Sequence, residues 1–329
     1  MSAQVLVGDI GATNVRLALA EPGRRPGAHV AVAADAHANL AQAVEAGLAA
    51  LAPRTRPRHA ALALAGPVIG DGFAFTNRPA WAFSAAALCR TLGLERLTLV
   101  NDLAALALAL GLAALGEADT VPLGGPARPA DPTAPCAVLG SGTGFGVAAL
   151  VRCDGEAVAV AGEGGHAGLA ARNQAEAKIL RTLRDRGLRP TPDRLLSGPG
   201  LGLLYAAIAG TDADAAPAAA EIARARHSDP IAARTLDCFA RWLGGFAGDV
   251  VLILGARGGA FIGGGVVPAL GPAFPVATFR AGFEDKGRFR DYMAAIPTRL
   301  VVSEAAVLAG ALAAAGRGGS GIVTVTGGR

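Results

Sequence analysis

Residues 5–20 read VLVGDIGATNVRLALA, and this stretch decides how the rest of the chain is read. Val5, Leu6 and Val7 form a short apolar run, residues 8–14 carry turn chemistry, and Val15, Leu17 and Leu19 alternate with Arg16 and Ala18. Strand, turn and second strand follow from that pattern, so a β-hairpin is expected. Gly8 and Gly11 would let the backbone come close to an anion. Asp9, Thr13, Asn14 and Arg16 add a carboxylate, a hydroxyl, an amide and a guanidinium, a set suited to a phosphate and its magnesium. An ordinary surface turn draws on the same residue types, so both readings stand at this point.

The chain has 329 residues, long enough for two cores. Hydrophobic residues reach 52%, an excess owed largely to Ala and Gly rather than to long runs of Leu, Ile or Phe, and the richest stretch, 103–115, is too short to span a bilayer. No basic segment precedes the first apolar strand, so no signal peptide and no membrane partner are expected, and the cytoplasm is the expected location. Cys89, Cys136, Cys153 and Cys238 are widely spaced with no C-x-x-C, which points to reduced thiols and no structural metal. A net charge of +4 raises the question of nucleic acid, but the basic residues are scattered, and Lys178 and Lys286 are the only lysines. With no basic patch and no helix-turn-helix before the first strand, no nucleic-acid partner is expected.

Further along, 60–65 reads as a buried strand and 85–92 as a helix capped by Ser84, a βαβ-like pattern that favours mixed sheets with helices packed on them. An apolar strand at 97–100 runs straight into Asn101 and Asp102 and then an Ala/Leu helix. Catalytic groups in open α/β sheets sit at the carboxyl ends of strands, which makes Asp102 the leading catalytic candidate. Asn and Asp are also preferred helix caps, and the two readings can coexist.

Residues 124–135 are rich in Pro and Gly and read as a linker. Beyond them comes GSGTGFGVAALV, in which Gly140, Gly142, Gly144 and Gly146 surround Ser141 and Thr143 as a second loop able to cradle phosphate. Residues 144–149 also fit G-x-G-x-x-A, yet a dinucleotide site requires a helix next, and Asp154-Gly155 instead marks a hairpin. That excludes the nicotinamide reading. Glu163 and His166 stand three apart on a glycine-rich loop and suit sugar hydroxyls, which discriminate best through polar contacts. Asp193, behind Pro192, is either a further hydroxyl acceptor or a first-turn cap. A long helix is expected at 229–252, a strand meeting three glycines at 261–268, and a solvated, charge-dense surface at 279–292.

Taken in order, GDIGATNVRLAL from Gly8, TNRPAWAFS from Thr76, VNDLAA from Val100, GSGTGFGVA from Gly140, GEGGH from Gly162, LSGPGL from Leu196, GGGVVP from Gly263 and FEDKGRF from Phe283 resemble the bacterial glucokinase family. That family shares the two-lobed, actin-like ATPase (ribonuclease H-like) α/β fold, with mixed sheets and a cleft between the lobes. The resemblance implies a small α/β domain over residues 1–115, completed by a C-terminal helix at 303–316, and a large α/β domain over 116–302. Residues 317–329 lack a core-forming pattern and are expected to be a flexible tail.

The same resemblance implies ATP with Mg2+ as phosphoryl donor, glucose as acceptor and a homodimer. Asn77, Asn101, Asp102, Glu163, His166 and Asp193 would contact sugar, with Asp102 also the catalytic base. Gly11, Ala12, Thr13, Asn14, Arg16, Gly140, Gly142, Thr143, Gly144, Gly264 and Gly265 would hold nucleotide and phosphates, and Asp9 would hold magnesium directly or through water. Asp193 departs from the family pattern, where a glutamate usually stands, and is shorter by one methylene. A sugar sensor without useful catalysis is the rival reading, and the presence of both Asp9 and Asp102 argues against it.

Overall fold

A computed structural model describes residues 4–75, 78–112, 115–129 and 131–327. Its contacts separate two compact units: residues 1–119, 149–161 and 303–329 form one, and 120–148 with 162–302 form the other.

The first unit contains β1 (Val5–Ile10), β2 (Asn14–Ala20), β3 (His29–Ala33), β4 (His59–Leu64), a small ribbon of β5 (Gly72–Phe75) and β6 (Arg78–Ser84), and β7 (Arg96–Asn101). The opening hairpin forms as expected, with Asp9 opposite Arg16 and Ile10 opposite Val15. Strands β1, β4 and β7 run parallel, and their ends align: Ile10 is level with Leu64, and Leu64 with Asn101. Gly8 is needed inside β1 because a Cβ there would stand 2.7 Å from a Leu62 methyl and 2.9 Å from one of Leu17. Leu6, Ile10, Leu17, Leu62 and Leu64 are fully buried and make the core over this sheet.

In the second sheet β8 (Thr120–Gly124), β9 (Cys136–Ser141), β10 (Phe145–Cys153), β11 (Glu156–Gly162), β12 (Gly259–Gly263) and β13 (Thr298–Val301) form the order β11-β10-β9-β12-β13-β8, with residues 149–161 of β10 and β11 counted in the first unit. The final strand, β14 (Ile322–Thr326), returns to the first sheet, whose order is β14-β7-β4-β1-β2-β3. Each sheet therefore has a three-strand meander, two further strands and an antiparallel edge in corresponding places. A glycine-bearing turn follows the first strand of each meander, at Gly11 and at Gly142.

Some expectations need correction. Residues 317–329 are not a flexible tail throughout, because Ile322–Thr326 pairs antiparallel with residues 96–100 of β7, Ile322 opposite Val100 and Thr326 opposite Arg96. Its alternating β-branched residues suit an edge strand, and pairing there covers backbone groups that β7 would otherwise leave open. The start of the Pro/Gly segment is likewise the end of the edge strand β8.

The solvated face expected at 279–292 holds for residues 287–291, which are exposed, but not for its first half, where Phe279 and Phe283 are fully buried. Arg280 donates to the carbonyls of Ile296 at 2.8 Å, Ala294 at 2.9 Å and Met293 at 3.1 Å, while Lys286 donates to Gly245 O at 2.8 Å and pairs with Asp249. Backbone carbonyls stand in for water around these cations, so charge density did not mean exposure.

Candidate active site

In the first unit the site begins at the turn between β1 and β2. Gly11 N–H donates to Asn14 O at 3.0 Å and closes it. Outside the turn, Ala34 N–H donates to Thr13 O at 2.9 Å and the Arg78 guanidinium to Ala12 O at 3.0 Å. The loop that bears Ala12, Thr13 and Asn14 is thus fixed from both sides, as a preorganised anion seat requires.

Asp9 lies at the end of β1 with its carboxylate 3.3 Å from the Arg16 guanidinium, and its side chain is only 18% exposed. Burial pushes its pKa above the ordinary carboxylate value, and the charge and hydrogen bond of Arg16 pull the other way without cancelling the rise. A nearly dry carboxylate of this kind gains from a second cation. One carboxylate with phosphate oxygens and water is an ordinary coordination set for Mg2+. Among the described residues no group of three or more His, Cys, Asp and Glu could hold a metal on protein ligands alone. The donor set therefore fits a magnesium brought in by the nucleotide.

Where β7 ends, Asn101 is the cap of the helix Asp102–Gly111. Its Oδ1 accepts from Leu103 N–H at 3.1 Å and Ala104 N–H at 3.0 Å, and its Nδ2 donates to Gly66 O at 3.1 Å. Asn101 is 8% exposed, and its carbonyl oxygen is committed, so an unused Nδ2 hydrogen is what it can offer a ligand. Asp102 follows as the first helical residue, half-buried, with Oδ1 accepting from Leu103 N–H at 2.8 Å. The amino-terminal helix dipole favours its ionised form. Because β1, β4 and β7 are neighbours in register, the backbones of Ile10 and Asn101 lie two strand spacings apart, about 10 Å. Asp9 and Asp102 therefore belong to the same carboxyl end of one sheet.

In the second unit the glycine loop between β9 and β10 is locked by the segment 193–198. Gly142 N–H donates to Gly144 O, Gly198 N–H to Gly142 O, and Ser141 Oγ to Leu196 O, at 2.9, 2.9 and 2.7 Å. Asp193 Oδ1 accepts from Phe145 N–H at 2.9 Å and lies where a Cβ on Gly144 would come within 2.5 Å. Thr191, not Asp193, caps the short helix Pro192–Leu195 through Arg194 N–H. Gly264, with φ of +87°, passes so close to β9 that a Cβ would stand 2.2 Å from Ser141 O. The structure thus brings Gly140, Gly142, Thr143, Gly144 and Asp193 to one loop system, with Gly264 and Gly265 at the neighbouring strand end.

Glu163 and His166 lie at the entry and end of a short 3-10 turn, Gly164–His166. His166 Nε2 stands 4.0 Å from a Glu163 carboxylate oxygen, and both side chains are more than half exposed and open to a ligand. Gly165 holds this turn against β10, since a Cβ would be 1.7 Å from Phe145 O. Asn77 lies outside the described residues. The bracing of the glycine loop by residues 196–198 was not foreseen from sequence. Its signal was present as Ser197 with Pro199 behind it, the start of the helix Gly198–Ala209.

The family model described as glucokinase matches residues 6–317. A glucokinase of Nitrobacter hamburgensis is 41% identical over 315 residues, covering 94% of this chain and 96% of its own. One of Ralstonia nicotianae is 43% identical over 315 residues, covering 90% of each chain. Among solved structures, the glucokinase from an Antarctic psychrotroph superposes with a TM-score of 0.81 at 31% identity, covering 96% of this chain and 99% of its own.

Proposed function

The chain belongs to the glucokinase family and transfers a phosphoryl group from ATP to the 6-hydroxyl of glucose, giving glucose 6-phosphate and ADP, and from that premise we propose how its side chains share the reaction. Asp102 takes the proton of the attacking 6-hydroxyl, and Asn101 Nδ2, Glu163 and His166 hold the remaining sugar hydroxyls. Asp193 braces the phosphate loop through Phe145 N–H and meets sugar through its second carboxylate oxygen. Asp9 would hold the magnesium that arrives with ATP, directly or through water, and that ion would supply charge to offset the phosphates. Arg16 keeps the Asp9 carboxylate oriented. Backbone groups of Gly11, Ala12, Thr13 and Asn14, and of Gly140, Gly142, Thr143 and Gly144, hold phosphate, with Gly264 and Gly265 seating the nucleotide. Asn77, the remaining sugar contact proposed, follows from the family motif alone.

One observation carries this reading. Asp9 and Asp102 emerge at the carboxyl end of the same three parallel strands, one tied to a guanidinium and the other at a helix start. A homodimer in the cytoplasm completes the proposal, and sedimentation of the purified chain at micromolar concentration should give a species of twice the chain mass. Sugar 6-phosphate formation from ATP, ADP or polyphosphate, with glucose, mannose, fructose or N-acetylglucosamine offered singly, tests the substrate assignment. ATP with glucose should give the highest kcat/KM, and Asp9→Asn should raise the magnesium concentration needed for half-maximal rate at least tenfold. An unchanged magnesium requirement would remove Asp9 from that role.

A further inference from the structure

The segment GRGGSGIVTVTGGR plays no part in the chemistry so far, and all but its first two residues lie beyond the stretch matched by the family model, which ends at residue 317. It is nevertheless built onto the back of the Asn101–Asp102 pair. After the helix Ala306–Ala314 the chain reverses through Gly316, φ +77°, and Gly319, φ +151°, with Ile322 N–H donating to Gly319 O at 3.1 Å. β14 then lies along β7, and Thr98 and Thr324 join their hydroxyls at 2.9 Å across the pair.

At the top of this pairing, Asn101 N–H donates to Gly321 O at 2.9 Å. Gly321 has φ of +68°, which a side chain would strain, and a Cβ there would stand 2.6 Å from the Ala161 methyl and 3.5 Å from Asn101 Cβ. The carbonyl can reach Asn101 only because residue 321 is glycine. Asn101 is consequently anchored at its main-chain N–H by Gly321 and at its side chain by Gly66, Leu103 and Ala104, with one Nδ2 hydrogen left for a ligand. Asp102 is the next residue and takes its direction from that anchor.

We propose that Gly321 is a positioning residue for glucose phosphorylation: its carbonyl fixes Asn101 at the end of β7 and thereby aims Asp102 at the sugar. The proposal rests on the assignment of Asn101 and Asp102 as the sugar-holding and proton-accepting pair. It needs no contact between the C-terminal segment and any substrate. Displacing a positioned group by about an ångström is enough to cost up to about a hundredfold in rate.

The test compares Gly321→Ala, the double variant Gly321→Ala/Ala161→Gly, a chain ending at Gly316, and Thr324→Val in the full-length protein. For each, kcat, KM for glucose, KM for ATP and thermal midpoint are measured. Gly321→Ala should lower kcat about tenfold or more and raise the glucose KM, with the ATP KM unchanged. Removing the opposing methyl in the double variant should restore part of both losses, whereas the chain ending at Gly316 should show the full effect. Thr324→Val removes the hydroxyl pair three residues from Gly321, so it should lower the midpoint and leave both KM values in place. Equal glucose KM in Gly321→Ala and the parent chain, or a rate loss matched by the unfolded fraction alone, would overturn the proposal. Asp102→Asn in the same assay separates the two ideas. Retained turnover there would refute the underlying pair, while an inactive Asp102→Asn beside a fully active Gly321→Ala would refute the positioning role alone.

Discussion

Asp9 carries a cost that the fold retains. Its carboxylate is buried, its pKa lies above the ordinary value, and Arg16 offsets only part of the desolvation. The folded state therefore holds this proton to higher pH than the unfolded chain does, and folding stability falls as pH rises from about 4 through the raised value. Asp9→Asn removes that dependence. The variant should melt with the parent below about pH 4 and above it at neutral pH, while its turnover collapses. Paired melting curves at the two pH values check this, and a lower melting point at neutral pH would contradict it.

At this same scale the sequence left Asp102 divided between a cap and a catalyst, and the structure shows why residue types alone could not decide. Asn101 and Asp102 are both good caps, but only Asn101, at the non-helical position, reaches both Leu103 N–H and Ala104 N–H. Asn101→Ala should cost about 1 kcal/mol or more in stability through the lost cap. It should also raise the glucose KM, which titration of initial rates would show.

Among the elements, the hairpin of β1 and β2 and the helix after Asn101 were legible because alternation and an apolar run ending in Asn-Asp are local signals. The charged stretch after Phe279 was not, because what it buries against lies far along the chain. Arg280 satisfies the carbonyls of Met293, Ala294 and Ile296 and stacks 4.8 Å from the Phe283 ring. Arg280→Met would leave those carbonyls and Glu284 without their donor, at a cost of about 3 kcal/mol. The expected result in a calorimetric melt is a fall of several degrees, with kcat per folded molecule unchanged. Helix packing in the first unit was equally hidden: a Cβ on Gly310 would come within 1.7 Å of Ala105 O. Nothing local to the Ala/Leu helix Ala306–Ala314 marks Gly310 as the point of closest approach.

On the scale of the whole molecule, the mixed α/β class was readable from the alternation of strands and helices, and both sheets bear it out. The grouping of 149–161 with the first unit was not, because β10 and β11 read as an ordinary hairpin of the second. Their outer halves meet the helix Asp102–Gly111, where a Cβ on Gly111 would lie 2.6 Å from Ala157 Cβ and 2.7 Å from a Leu150 methyl. The final strand escaped notice for a related reason: five β-prone residues amid glycines carry little signal until β7 offers them an edge. The half-sites were legible as motifs. What the structure adds is their bracing, by Gly321 behind Asn101 and by Asp193, Leu196 and Gly198 around the glycine loop after β9.

The central claim is that Asp102 accepts the proton of the attacking sugar hydroxyl. Its most direct test is glucose 6-phosphate formation by Asp102→Asn, measured beside calorimetric glucose binding to the same preparation. A loss of about 10² to 10⁴ in kcat, with glucose still bound within a few-fold of the parent affinity, is the predicted result. Turnover within a few-fold of the parent chain would contradict it.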